Sequence, residues 1–391
     1  MASPVDTSVK HFYSAMAGAP TVSGTVGSLI SALDACLVTG FGAKVVDSGT
    51  IAGGICRLNF ASGVSAAKQE AVILISVASP AALNGEQKVT AVANSWVEFK
   101  TDLPDGAVTG SISFKLAPLG WEKLFSKTDV AVYRPTDPAS TRPYIRVDDT
   151  NAAFARVQMY ESMTDVDTGY GVSPALAGGW YWPKWNTAAA TATYWLLVGD
   201  SRGFYFLNNM SGATAATQNN NPAVSRYVGD LNSYRSGDAW CAAVTGFNSS
   251  GFTQTTGCVF SNTSAGFAVM RASHGLGTTD TPLRLVFGNA GSTSGMDATC
   301  GTFPSRTDNG LRLSAIQLTD GLVANGPRGE LPGAFHCPQS GVLAGIGANV
   351  VLTKGAGQLY GKTLLSISVG NPSSPNQGIG FFDVTTPWRQ G

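Results

Sequence analysis

Charge is what this sequence has least of. Lys and Arg number 25, Asp and Glu 25, so 13% of the 391 residues are charged and the formal net charge is zero. That share is about half the usual one. The even balance removes the basic footprint that phosphate contacts require, so nucleic acid is not an expected partner. A sparse charge complement also fits a protein whose faces are covered by neighbours. Cysteine is scarce too, at 36, 56, 241, 258, 300 and 337. No two form a CxxC clip, and the spacing matches no zinc pattern. No apolar run approaches the roughly twenty residues of a membrane span. The opening MASPVDTSVKHFYSAMAG lacks the basic start and apolar stretch of a secretion signal. The expectation is therefore a chain made in a reducing cytoplasm, with thiols mostly free and buried.

What is abundant is glycine, 47 residues, with 19 prolines. They punctuate short segments rich in Val, Ile and aromatics, such as EAVILISVAS, DVAVYRP, AFARVQMYE, YWLLVGD, GFYFLNN and KTLLSISVG. These read as strands between turns. The segments 214–223 and 370–378 read as exposed loops. One helix stands out over residues 24–38. Val26, Leu29, Ile30, Leu33 and Leu37 recur at steps of three and four and predict one buried face. Ser23 or Thr25 can cap its start, and Gly40 or Gly42 can end it. A short helical turn is expected at GWEKLFS, 120–126. The fold class is mainly β: a β-sandwich or barrel-like main domain with an N-terminal amphipathic helix. The length suggests a second, smaller unit.

Four features invite chemistry. Five of the acidic residues crowd into RVDDTNAAFARVQMYESMTDVDTGYG, namely Asp148, Asp149, Glu161, Asp165 and Asp167. DVDTG resembles the start of a calcium loop, but its glycine comes one place early. Leu176 stands where the distal glutamate belongs. Asx turns between strands are the expected role. VGDSRG matches the G-x-S-x-G spacing around Ser201 and the opening block of GDSL-type esterases. The flanking FYFL is strand-like, so a hairpin is expected and not the strand–turn–helix of a nucleophile elbow. None of His11, His274 and His336 has an Asp three residues before it. GGWYWPKWN places Trp180, Tyr181, Trp182 and Trp185 together. Their rings suit a core or subunit contact, or stacking on a sugar. GSTSG and GIGAN are glycine-rich without dinucleotide or P-loop spacing and read as loops. No catalytic residue, metal ligand or cofactor follows from any of these.

Several segments carry a resemblance. YSAMAGAPTVSGTVGSLISALDACLVTGFG, LGWEKLFSKTDVAVYRPTDPASTRPYIRVDDTNAAFARVQMYESMTDVDTG, YWLLVGDSRGFYFL, YVGDLNSYRSGDAWCAAVTG, RGELPGAF and FFDVTTPW are similar, in that order, to segments of uncharacterised virion proteins of tailed bacteriophages. Within them, residues 52–117 resemble a small β module common in phage tail proteins, with AAKQEAVILIS where the module usually has G-D. The resemblance implies a main β-rich domain built from 1–51 and 118–391, with the barrel-like module inserted. It implies a non-enzymatic structural component of the tail, baseplate or neck, assembled in the host cytoplasm from copies of itself and other virion proteins. The alternatives are a head-decoration protein, or a host-recognition protein that binds a surface glycan.

Overall fold

The structure is a computed structural model that describes residues 3–61, 63–185, 187–209, 224–250, 259–260, 265–282, 284–285, 301–321, 325–346, 350–356, 359–370 and 377–389. Residues 214–223, most of 370–378, GSTSG, most of GIGAN, Cys258 and Cys300 lie outside them. The protein is mainly β, as expected, and two of its sheets curl as half-barrels. Among the described residues no helix is long and apolar enough to cross a membrane.

Three large antiparallel sheets form the body. The central one has eleven strands and runs from Lys10–Tyr13 through Trp195–Gly199, Gly203–Asn208, Val224–Asp230 and Ala242–Phe247. It continues through Trp180–Pro183, Phe154–Tyr160, Tyr144–Asp148 and Val130–Pro135 to Trp121–Lys127, and Ala265–Val269 adds to Ala242–Phe247. Eight strands between Lys44 and Leu116 make a second sheet. It contains the segment expected as a module, and also takes in Lys44–Val45 and Ser48–Ala52. The third, C-terminal sheet is built around Ser314–Thr319, Pro327–His336, Gln377–Asp383 and Thr363–Gly370.

The middle strands of the central sheet are covered on both faces. Side chains alternate along a strand. Leu197, Phe204, Phe206, Val228 and Val244 pack toward the second sheet and the N-terminal helix. Their neighbours Leu196, Val198, Tyr205, Leu207 and Tyr227 pack against Leu365, Ile367 and Phe382 of the C-terminal sheet. Strands buried on both faces lose their polar–apolar alternation. Trp195–Gly199 and Gly203–Asn208 are accordingly buried at every position. Part of the deficit of charge is explained inside the chain, because these middle strands have no wet face. Cys36, Cys56 and Cys241 are free buried thiols, and Cys337 is buried too.

The helix is shorter than its periodicity suggests. It runs from Ser28 to Leu33 and continues as a π-helix over Asp34–Thr39. Leu29, Leu33 and Leu37 are buried as expected and Ile30 packs against the core. Val26 is not on that face and is 46% exposed, because the chain turns at Gly27 before the helix begins. Gly27 has a φ of 76°, where side chains are rarely tolerated. Neither Ser23 nor Thr25 caps the helix. Asp149 does so from the far side of the sequence. Its Oδ2 accepts from the N–H groups of Leu29 at 2.8 Å and Ile30 at 3.3 Å, the orphan donors of a helix start. Lys184 Nζ lies 2.5 Å from Asp149 Oδ1, with both side chains fully buried, and donates to the Thr25 carbonyl. Burial pushes the Asp149 carboxyl up to about 6 against the pull of Lys184 and the helix N–H groups.

GWEKLFS is a strand, not a helical turn. Trp121–Lys127 pairs with Val130–Pro135, and the register slips between Lys123 and Phe125. That irregularity takes Leu124 out of the ladder and gives a strand helix-like spacing.

Polar ties join the second sheet to the other two layers. Lys10 bonds Glu86 at 2.6 Å and the Pro118 carbonyl at 2.5 Å. Lys88, 1% exposed, donates to the Val384 carbonyl. Glu70 receives the Thr363 hydroxyl at 3.3 Å. His11 is buried near Lys88. Burial first, and the Lys88 charge second, push its pKa down to about 3.

Two outcomes follow. Asp149→Ala leaves Lys184 buried without its partner and should cost about 3–5 kcal/mol in urea denaturation. A loss below about 1 kcal/mol would remove the pair from its capping role. His11 stays neutral in the folded chain, whereas the unfolded chain protonates it below about 6.5. Its contribution is therefore complete above pH 6.5 and drains away as pH falls toward 3. His11→Gln should flatten the acid limb of the denaturation midpoint between those values, and parallel limbs would refute the assignment.

Candidate functional site

The acidic stretch divides into separate structural tasks. Tyr144–Asp148 and Phe154–Tyr160 are adjacent strands, and the DDTNA turn joins them. Asp148 Oδ1 accepts from the Thr150 N–H and hydroxyl. Asp149 caps the helix. Glu161 is gripped by Arg271 through two bonds of 2.6 Å. Asp165 Oδ1 accepts from the N–H groups of Asp167 and Thr168, an Asx turn. Asp167 pairs with Lys127 at 2.5 Å and Arg146 at 2.8 Å. Among the described residues no three His, Cys, Asp or Glu side chains gather where they could hold a metal ion.

Ser201 sits at the tip of the hairpin formed by Trp195–Gly199 and Gly203–Asn208. Asp200 Oδ1 shapes the turn by accepting from the Arg202 and Gly203 N–H groups, each at 2.8 Å. The Ser201 hydroxyl donates to Asp137 Oδ2 at 2.6 Å. Burial works to raise the Asp137 pKa. The bonds from Ser201 and the Ala139 N–H, with Arg202 and Arg389 nearby, outweigh it and hold the carboxyl below its usual range. A carboxylate so stabilised is a weak base.

The aromatic run lies largely within the chain's own core. Trp182 is fully buried, donates from Nε1 to the Thr245 carbonyl at 2.7 Å and lies parallel to Phe206 at 6.3 Å. Trp180 and Trp185 are 8% and 6% exposed. Gly246 and Gly266 make room for Trp180, since a Cβ on either would fall within 2.4 Å of it. Tyr181 reaches solvent in part, but the Arg156 guanidinium covers its ring at 3.7 Å. Trp180, Trp182 and Trp185 are thus buried within this chain.

A concave feature lies elsewhere. A cavity of about 970 Å³ opens where the ends of the central sheet meet the C-terminal sheet. Ion pairs set its walls: Arg202–Asp230 at 3.1 Å, Arg389–Asp200 at 2.8 Å and Lys362–Asp383 at 2.7 Å. Arg328 holds Asp238 through two bonds, and that pair outweighs burial to keep the Asp238 pKa low. Asp230 also accepts from the Thr141 N–H at 3.0 Å, and Asn232 donates to the Trp388 carbonyl at 2.8 Å. The reading of the sequence named none of these residues as a site. The signal was in its segments: YWLLVGDSRGFYFL, YVGDLNSYRSGDAWCAAVTG, RGELPGAF and FFDVTTPW each supply part of this one cleft or the pairs behind it. The chain matches no family model and no curated protein.

Because Asp165 and Asp167 are already satisfied, a strong calcium chelator should leave the melting temperature unchanged to within about a degree. Ser201→Ala should cost only the net worth of one hydrogen bond, about 1 kcal/mol. A chelator-induced drop of several degrees would place an ion at the D-x-D turn.

Proposed function

We propose that this chain is a structural component of a tailed-bacteriophage particle, in the tail, baseplate or neck, acting through packing against copies of itself and other virion proteins. The observation that carries the reading is the commitment of its reactive-looking groups to the fold. Ser201 is tied to a carboxylate of lowered basicity, and the five carboxylates of 148–167 cap, turn or clamp. The ordered resemblance of six segments to virion proteins supports the same reading. So does the zero net charge, which suits a subunit that handles no nucleic acid. A body of three layered sheets, with few charges to keep it apart from its neighbours, suits close packing in an assembly.

The test is incorporation. Particles grown with an epitope-tagged copy should carry the tag through density-gradient purification at fixed stoichiometry. A chain that is a stable monomer in sedimentation analysis and absent from the purified particles would overturn the proposal.

A further inference from the structure

We propose that the cleft between the central and C-terminal sheets is a binding site for a neutral saccharide. Its volume of about 970 Å³ lies at the upper end of the range for small-molecule sites. The floor is preorganised, because the Arg202–Asp230, Arg389–Asp200 and Arg328–Asp238 pairs fix their side chains before any ligand arrives. Such a site loses little conformational entropy on binding.

The pairing leaves specific groups unspent. Arg202 uses Nε on Asp230, and its two Nη groups donate to nothing among the described residues. Arg235, exposed on the rim, makes one long bond to Ser273 Oγ at 3.3 Å. Among the described residues Glu330 receives only the Tyr234 hydroxyl, at 3.5 Å. Ser236 adds a hydroxyl to the same lining. Guanidinium donors and a carboxylate acceptor lining one cleft match the vicinal hydroxyls of a sugar, which both donate and accept. Pro387, exposed on the rim, supplies an apolar edge for the C–H face of a ring. Charge decides between ligand classes. The wall cations are matched by their own carboxylates, and the unpaired Arg235 is balanced by the unpaired Glu330. A phosphate would meet Glu330 and a cation would meet Arg235, whereas a neutral polyol satisfies both. Nothing here depends on the particle reading, so either can fail alone.

The experiment uses the full chain and a panel of neutral di- to tetrasaccharides built from hexoses, N-acetylhexosamines and 6-deoxyhexoses. Inorganic phosphate and a uronic-acid disaccharide serve as charged probes, and binding is read by saturation-transfer NMR and titration. At least one neutral sugar should bind with a Kd below about 10 mM, and Arg235→Ala and Glu330→Gln should each weaken it by about ten-fold or more. Both variants should keep the parent melting temperature, and Arg57→Ala on the second sheet should bind as the parent does. No binding by any neutral member, binding unchanged in both rim variants, or binding of the charged probes alone would overturn the proposal.

Discussion

A single buried ion pair ties together parts of the chain that share no local sequence. Asp149 follows the Tyr144–Asp148 strand of the central sheet, Lys184 follows the Trp180–Pro183 strand, and between them they hold the start of the N-terminal helix. Two charges withdrawn from water are costly unless each finds its partners. Here the carboxylate finds a lysine and two helix N–H groups, and the lysine also finds a carbonyl. The geometry is tolerated only when helix, strand and turn are all in place. The helix residues Leu29, Leu33 and Leu37 then join Trp180 and Trp182 in one buried core.

The strand content was legible because Val, Ile and aromatic runs bounded by glycine say the same thing locally and globally. So was the hairpin at Ser201, whose aromatic flank excludes a helix. The buried Leu29, Leu33 and Leu37 were legible from spacing. Val26 was not, because periodicity cannot show that Gly27 adopts a left-handed turn. GWEKLFS misled for a related reason, since a bulge gives a strand the three-and-four spacing of a helix. The capping role of Asp149 was invisible because its partners lie more than a hundred residues away. The cleft was hidden for the same reason: its walls are ion pairs between segments that only the fold brings together.

The scarcity of charge carries a lesson about inference from composition. Taken alone it points outward, to surfaces hidden by neighbours. The three layers show that the chain hides much of its own surface, since its central strands are apolar on both faces. Where charges do occur they are concentrated in work. The Arg–Asp pairs at the cleft and the buried Lys184–Asp149 pair use a sizeable part of a small complement.

The strand Lys10–Tyr13 has its ladder partner in Trp195–Gly199, nearly two hundred residues further along. A ribosome adds about 5–20 residues per second, so this strand waits roughly ten to forty seconds for its neighbour to emerge. During that interval its apolar Phe12 and its unpaired backbone are open to other nascent chains. The second sheet, complete by Leu116, can close long before, and Glu86 offers Lys10 a provisional anchor from that sheet. Early folding of the local unit would thus guard the first strand until the central sheet is ready to receive it.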